Sequence, residues 1–247
     1  MSSVVLVSAP TRDSGHRSAL LARATTPDSG RRSAAVAQSR DEELMNSITH
    51  GLGLVLSISG LSALVTLAGN LGTTRHTVGC GVYGASLVML YAASTLYHSW
   101  PAGELKRAFH LLDHIGIYVL IAGTYTPMAL FASRGLLGWL CVAAAWGFAL
   151  IGSCAKVARM SRLDDDSSMP YLVMGVMCVM SVLQLVANIP SGETTWLLAG
   201  GLCYLAGAIF YFNDEKLFYH SIWHLFALAG SICHYRAVLR CAIAGTF

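Results

Sequence analysis

Apolar positions in this chain fall into seven long runs separated by short polar segments. The runs lie at about residues 47–69, 77–97, 111–131, 136–156, 170–190, 196–213 and 218–240. A helix that crosses the hydrocarbon core of a bilayer needs about 20 apolar residues, and each run is close to that length. The segments between the runs are too short to form a domain of their own. The pattern predicts an all-α membrane protein, a seven-transmembrane helix bundle.

The composition agrees with this fold class and excludes others. Hydrophobic residues make up 55% of the 247 positions and charged residues only 12%, whereas soluble domains carry about 25% charged residues. The net charge of +3 is small and gives no case for nucleic-acid binding, so the expected partner is membrane lipid. The seven cysteines form no C-x-x-C pair, and we expect buried free thiols. The oligomeric state stays open.

The first 40 residues are rich in Ser, Ala and Arg and differ from the rest of the chain. Their longest apolar run, Val4 to Val7, is too short for the core of a signal peptide. We expect a disordered N-terminal tail at 1–40, followed by a membrane domain at 41–247. The Arg and Ser content also permits an organelle transit peptide, so an organelle membrane is the alternative to the plasma (inner) membrane that we expect.

Lys and Arg residues in alternate loops predict the orientation, because positive charge is retained in the cytoplasm. With the N-terminus inside, the inner side holds twelve such residues and the outer side four; without the tail the ratio is six to four. We therefore expect a cytoplasmic N-terminus and an external C-terminus. In this topology the polar residues of interest share the inner leaflet: His50, His98, Asp113, His220 and His224.

Three histidines form a candidate zinc site. His220 and His224 are four residues apart, which places both imidazoles on one face of a helix. His98 ends the second apolar run and is available as a third ligand from another helix. Three protein ligands are typical of a catalytic zinc site, which leaves a fourth position to water. Alternatively, histidines near the end of a span bond only to water or backbone.

Asp113 and Ser94 are the candidate catalytic residues beside this site. Asp113 is a carboxylate well inside the third run, where it could act as a general base or orient a ligand. Ser94 lies one turn before His98 and could stabilise a developing oxyanion. Without a metal, Asp113 would cap the N-terminus of the third helix, and Ser94 would bond to its own backbone.

The remaining polar and small residues have simpler interpretations. His234 is ten residues beyond His224, about 15 Å along a helix, too far to share the site. His50 is a candidate second-shell partner, and His76 is expected to be a solvated loop residue. Five glycines are expected to allow close helix approach in lipid: Gly147, Gly152, Gly200, Gly201 and Gly207.

Several ordered motifs resemble the hemolysin III family, the bacterial branch of the progestin and adipoQ receptor group. The resemblance covers nearly all of 42–240. The matching stretches are Glu43-Leu-Met-Asn46-Ser-Ile-Thr-His50-Gly51, Ser94-Thr-Leu-Tyr97-His98-Ser99, His110-Leu-Leu-Asp113-His114-Ile-Gly-Ile-Tyr118, Ala122-Gly123-Thr124-Tyr125-Thr126-Pro127 and His220-Ser-Ile-Trp223-His224.

The resemblance implies seven helices, a cytoplasmic N-terminus and a zinc ion near the cytoplasmic leaflet. It implies that His98, His220 and His224 are the zinc ligands, that Asp113 holds the zinc water and that Ser94 is its partner. It also places the chain near membrane hydrolases such as alkaline ceramidases.

The first functional hypothesis is a zinc-dependent intramembrane hydrolase of a lipid amide or ester. The alternatives are a receptor-like regulator of membrane state with structural zinc and, third, a cytolytic pore-forming hemolysin. The hypothesis of a pore-forming hemolysin fits poorly with a sequence that has no recognisable secretion signal.

Overall fold

The described part of the chain consists of seven α-helices. This computed structural model describes residues 38–71, 73–132, 136–160, 169–185 and 191–244, and no strand occurs among them. Seven helices were predicted and seven are found; residues 1–37 of the expected tail lie outside the described part. The helices are α1 (Arg40–Leu71), α2 (Thr74–Ser99), α3 (Glu104–Ala132), α4 (Leu136–Met160), α5 (Met169–Leu185), α6 (Ser191–Tyr211) and α7 (Tyr219–Ala244).

Five of these helices, α1 to α4 and α6, are long and apolar enough to cross a membrane. Helix α5 has 17 residues, fewer than the roughly 20 of a full crossing. Helix α7 has 26 residues, but its histidines and arginines lower its mean hydropathy. The sequence predicted seven membrane spans, and five of the seven helices have the length and composition of a span.

Helix α1 begins seven residues before its apolar run because a capping box fixes its first turn. The backbone N–H of Glu42 donates to Ser39 Oγ at 3.2 Å, and the N–H of Ser39 donates to the Glu42 carboxylate at 2.9 Å. This reciprocal pair satisfies two amides that a helix start leaves without partners. Glu42 and Glu43 therefore lie on the helix and not in a loop.

Helix α3 is the central helix of the described bundle. Of its apolar stretch 72% is buried, compared with 11% to 22% for α1, α4 and α6. It packs against α2, α4, α5 and α7, while α7 also contacts α1, α2 and α6. At its mid-length α7 is held by hydrogen bonds of Ser231. The hydroxyls of Tyr91 and Tyr204 lie 2.8 and 2.7 Å from Ser231 Oγ.

Three of the five glycines that were expected to allow close helix contact do so. A Cβ at Gly152 would overlap the Tyr118 ring of α3, and one at Gly207 would lie 2.7 Å from Trp223 of α7. A Cβ at Gly200 would overlap the His234 ring and lie 3.0 Å from the Gly230 carbonyl oxygen. The expectation is wrong for the other two, Gly147 and Gly201. A Cβ at either position would have no neighbouring atom of the described residues within 4 Å.

All seven cysteines are free thiols, as predicted. Cys80 and Cys241 are fully buried in the main core, together with Leu64, Tyr83 and Val238. Cys154 is exposed, so the expectation of burial is wrong there. It lies on α4, whose outer face also exposes Leu150 and Ile151.

The adjacent residues Gly200 and Gly201 provide a matched pair for testing the contact between α6 and α7. We predict that Gly200→Ala lowers the free energy of unfolding by about 1 to 3 kcal/mol, because the methyl group overlaps His234 and meets backbone. Gly201→Ala should be neutral or stabilise by up to about 1 kcal/mol, since alanine favours helix. Denaturant unfolding of the purified protein measures both, and equal destabilisation would contradict the packing.

Candidate metal centre

Three buried imidazoles converge at the end of the bundle where α2 ends and α7 begins. His98 lies in the last turn of α2, and His220 and His224 lie in the first two turns of α7. One nitrogen from each ring lies within 4.8 Å of the other two. The structure thus brings together the three histidines that the spacing singled out, and the group could hold a metal ion.

The start of α7 is held in place by side chains from the first turns of α1. The Glu42 carboxylate accepts a hydrogen bond of 2.6 Å from the backbone N–H of Phe218, immediately before α7. The hydroxyl of Ser221 donates to the Asn46 side chain at 2.6 Å, and both residues are buried. These two contacts set the position of His220 and His224 relative to α1.

His98 is held from its outer side by Glu43. Its Nδ1 lies 2.7 Å from one carboxylate oxygen of Glu43, and the other oxygen accepts a 2.8 Å bond from Lys106 Nζ. Lys106 also donates to the backbone carbonyl of Tyr97 at 2.9 Å. The Nε2 atom of His98 is the ring nitrogen left for the cluster.

His224 is fixed by stacking on His50. The two rings are 3.5 Å apart and nearly parallel, with an interplanar angle of 7°. Nδ1 of His224 lies 3.5 Å from the Thr49 hydroxyl. Nδ1 of His50 lies 2.7 Å from Ser94 Oγ. His50, which was expected to contact a metal ligand without binding the metal, contacts both the candidate ligand His224 and Ser94.

The unpartnered nitrogens of the cluster fit a metal ion. Among the described residues, His98 Nε2 and His220 Nδ1 are buried and have no hydrogen-bond partner. Leaving such a group unpaired costs about 1 to 3 kcal/mol, and a metal ion bound to the cluster would satisfy His98 Nε2. Nδ1 of His220 also lies 3.6 Å from the carboxylate of Asp214. Three imidazoles suit zinc, copper, iron or nickel, and three protein ligands leave an open coordination position.

Asp113 lies in the third turn of α3, beside the cluster. Its carboxylate is within interaction range of the Ser94 hydroxyl and the His220 ring. Because α3 begins at Glu104, the alternative that Asp113 caps this helix is wrong. Ser94 is fully buried and contacts the His50 ring, so it does more than bond to its own backbone.

Sequence reasoning did not assign roles to Glu43, Asn46 and Lys106. A signal was available for the first two, since Glu43, Asn46 and His50 are spaced i, i+3 and i+7 and therefore share one face of α1. Lys106 carried no such signal, because its partners Glu43 and Tyr97 belong to other helices.

Four other histidines in the described part of the chain lie outside the cluster. The expectation that His76 is solvated is wrong: it is buried, accepts a bond from the Thr73 N–H at 3.1 Å and stacks on Phe131. His234 lies 3.0 Å from the Leu197 carbonyl oxygen, away from the site as expected. In α3, Nε2 of His110 lies 2.9 Å from Nε2 of His114.

Comparison with known proteins places this arrangement among membrane proteins. Residues 38–235 match the family model described as Haemolysin-III related. The chain is 41% identical to "Hemolysin-3" of Bacillus cereus over 80% of this chain and 90% of that protein. It is 39% identical to "Hemolysin-3 homolog" of Bacillus subtilis (strain 168), over 80% and 93%.

A human protein, "Monocyte to macrophage differentiation factor", is 29% identical over 80% of this chain and 83% of its own length. This likeness supports the relationship to the progestin and adipoQ receptor group. No solved structure matches.

The convergence of the three rings predicts metal binding. Purified protein should carry about one equivalent of a transition metal ion, because three converging imidazoles form a typical site for such an ion. The variants His98→Ala and His224→Ala should each lose most of this metal. His76→Ala, at the opposite end of α2, is the control and should keep it. Elemental analysis measures the content, and full retention in both cluster variants would rule out this site.

Proposed function

Because the chain belongs to the haemolysin III family of integral membrane proteins, we propose that it is a zinc-dependent intramembrane hydrolase of a lipid amide or ester. One observation carries the proposal. Three buried imidazoles, those of His98, His220 and His224, converge so that one nitrogen of each lies within 4.8 Å of the other two, and a carboxylate and a hydroxyl, those of Asp113 and Ser94, lie beside them.

The three imidazoles are proposed to hold the zinc ion. A zinc ion with three protein ligands activates a water molecule and polarises a carbonyl oxygen. His98 from α2 and the pair His220 and His224 from α7 form one side of the site. Their burial keeps bulk water away, which strengthens electrostatic interactions inside the site.

Asp113 is proposed to move the proton. Its carboxylate, next to Ser94 and His220, would take the proton of the attacking water and deliver it to the leaving amine or alcohol. Helix α3, the most buried of the five helices long and apolar enough to cross a membrane, holds Asp113 in place.

Ser94 is proposed to stabilise the carbonyl oxygen as it gains negative charge. Its hydroxyl has one hydrogen, and its oxygen accepts from His50 when Nδ1 of that ring carries the proton. The hydroxyl hydrogen is then available to the substrate or to Asp113. The stacking of His50 on His224 ties this hydroxyl to the ligand set.

We propose a lipid substrate because the helices that surround the bundle are apolar on their outer faces. Outward faces of α1 and α4 expose apolar side chains such as Val55, Leu56, Leu150 and Ile151, which suits contact with acyl chains. We propose that the N-terminus is cytoplasmic, the C-terminus external and the site near the cytoplasmic leaflet of the plasma membrane. The charge ratio in the loops supports this orientation.

A second function is a receptor-like regulator in which zinc has a structural role. It is supported by the origin of the ligands, since His98 belongs to α2 and His220 and His224 belong to α7, so that a metal would link two helices. A third function, cytolysis, is supported only by the names of the Bacillus relatives.

Asp113→Asn separates catalysis from a structural role. We predict that the variant keeps its zinc, because Asp113 is not one of the three ligands, and loses about 10²- to 10⁴-fold in hydrolysis of lipid amides or esters. Asp41→Asn, in the exposed first turn of α1, is the control and should keep both. Parent protein that carries zinc but hydrolyses none of these lipids would favour the regulator.

Release of an encapsulated dye from liposomes distinguishes the hydrolase from a cytolytic pore. We predict that the protein, as an integral membrane hydrolase, causes no dye release from liposomes into which it is reconstituted. Dye release in proportion to the amount of protein, equal in the parent and in Asp113→Asn, would favour pore formation over hydrolysis.

A further inference from the structure

Glu43 links three helices at the metal centre. One carboxylate oxygen lies 2.7 Å from His98 Nδ1, and the other accepts the 2.8 Å bond from Lys106. Lys106 in turn donates to the carbonyl oxygens of Tyr97 and Trp100, at 2.9 and 3.2 Å. The carboxylate is therefore tied to α1 through its own backbone, to α3 through Lys106 and to the end of α2 through His98.

These contacts determine which nitrogen of His98 carries hydrogen. A carboxylate paired with a lysine is ionised and can only accept hydrogen bonds. At 2.7 Å from Glu43, Nδ1 of His98 must therefore donate. A neutral imidazole has a single N–H, so Nε2 is bare and presents its lone pair.

Nε2, on the other side of the ring, is buried and has no hydrogen-bond partner among the described residues. It is therefore available as a metal ligand. The neutral ring with hydrogen on Nδ1 is the form that a metal ligand needs.

We propose that Glu43 is a positioning residue that holds His98 in the Nδ1–H tautomer and aims Nε2 at the zinc ion. This inference rests on the proposed zinc site. Carboxylates that bond to the outer nitrogen of a ligating histidine fix its orientation and raise its basicity, and their loss typically weakens metal binding 10- to 100-fold. Lys106 keeps the carboxylate ionised and anchored.

Asp41 provides the charge control. It lies in the exposed first turn of α1, two residues before Glu43. Asp41→Asn removes the same charge from the same end of the helix and leaves the bond between Glu43 and His98 in place. It should leave the His98 tautomer and the zinc affinity as in the parent protein.

The first experiment reads the tautomer in zinc-free protein. In NMR of protein with isotope-labelled imidazole nitrogens, the His98 signals are those absent from His98→Ala. We expect a protonated Nδ1 and a bare Nε2 in the parent and in Asp41→Asn. In Glu43→Ala the signals should shift to a mixture of tautomers, and in Glu43→Gln, whose amide oxygen still accepts, they should stay near the parent pattern.

The second experiment measures zinc affinity by competition with a chelator. Glu43→Ala should bind zinc about 10- to 100-fold more weakly, Glu43→Gln should lie between it and the parent, and Asp41→Asn should match the parent. Should Glu43→Ala fail to fold, Glu43→Gln and Lys106→Met replace it, each with a smaller expected loss.

The two experiments separate the failure of this inference from the failure of the proposed function. Unchanged His98 signals and unchanged zinc affinity in Glu43→Ala would overturn the role of Glu43, with the zinc site intact. A parent protein that binds no zinc overturns the proposed function, and the zinc-free NMR result then still decides whether Glu43 sets the tautomer. An equal loss in Asp41→Asn would mean a general charge effect and would also overturn it.

Discussion

A buried imidazole needs a partner for its ring nitrogens, and in this protein the first three turns of α1 supply most of those partners. Glu43 bonds to His98, Thr49 approaches His224, and His50 stacks on His224 and bonds to Ser94. The packing of α1 against both α2 and α7 makes this possible. The candidate metal centre therefore depends on a helix that contributes none of its three histidines.

Much of the fold and of the ligand set could be predicted because both leave local patterns in the sequence. The length of apolar runs predicts the number of helices, and the spacing of His220 and His224 predicts a shared face. The ends of the helices could be predicted less well, because hydropathy detects only the apolar part of a helix. Polar first turns, such as that of α3 before Asp113, resemble loops in this pattern.

Contacts between helices could not be predicted from periodicity. Gly200 and Gly201 are adjacent and chemically identical, yet only Gly200 faces His234 and the backbone of α7. Likewise Glu42 and Glu43 differ by about 100° around α1, and this rotation sends one carboxylate to the start of α7 and the other to His98. Which neighbour lies opposite each residue is decided by tertiary packing, which the sequence pattern does not contain.

The bond between Glu42 and Phe218 joins the first helix to the last, and this has a consequence for biosynthesis. As the chain emerges from the ribosome, α1 to α3 can assemble early, and the pair of Glu43 with His98 forms among them. His220 and His224 follow only after six helices have been made, since chains fold from the N-terminus during synthesis. A metal ion held by all three imidazoles would therefore bind only after α7 has been made.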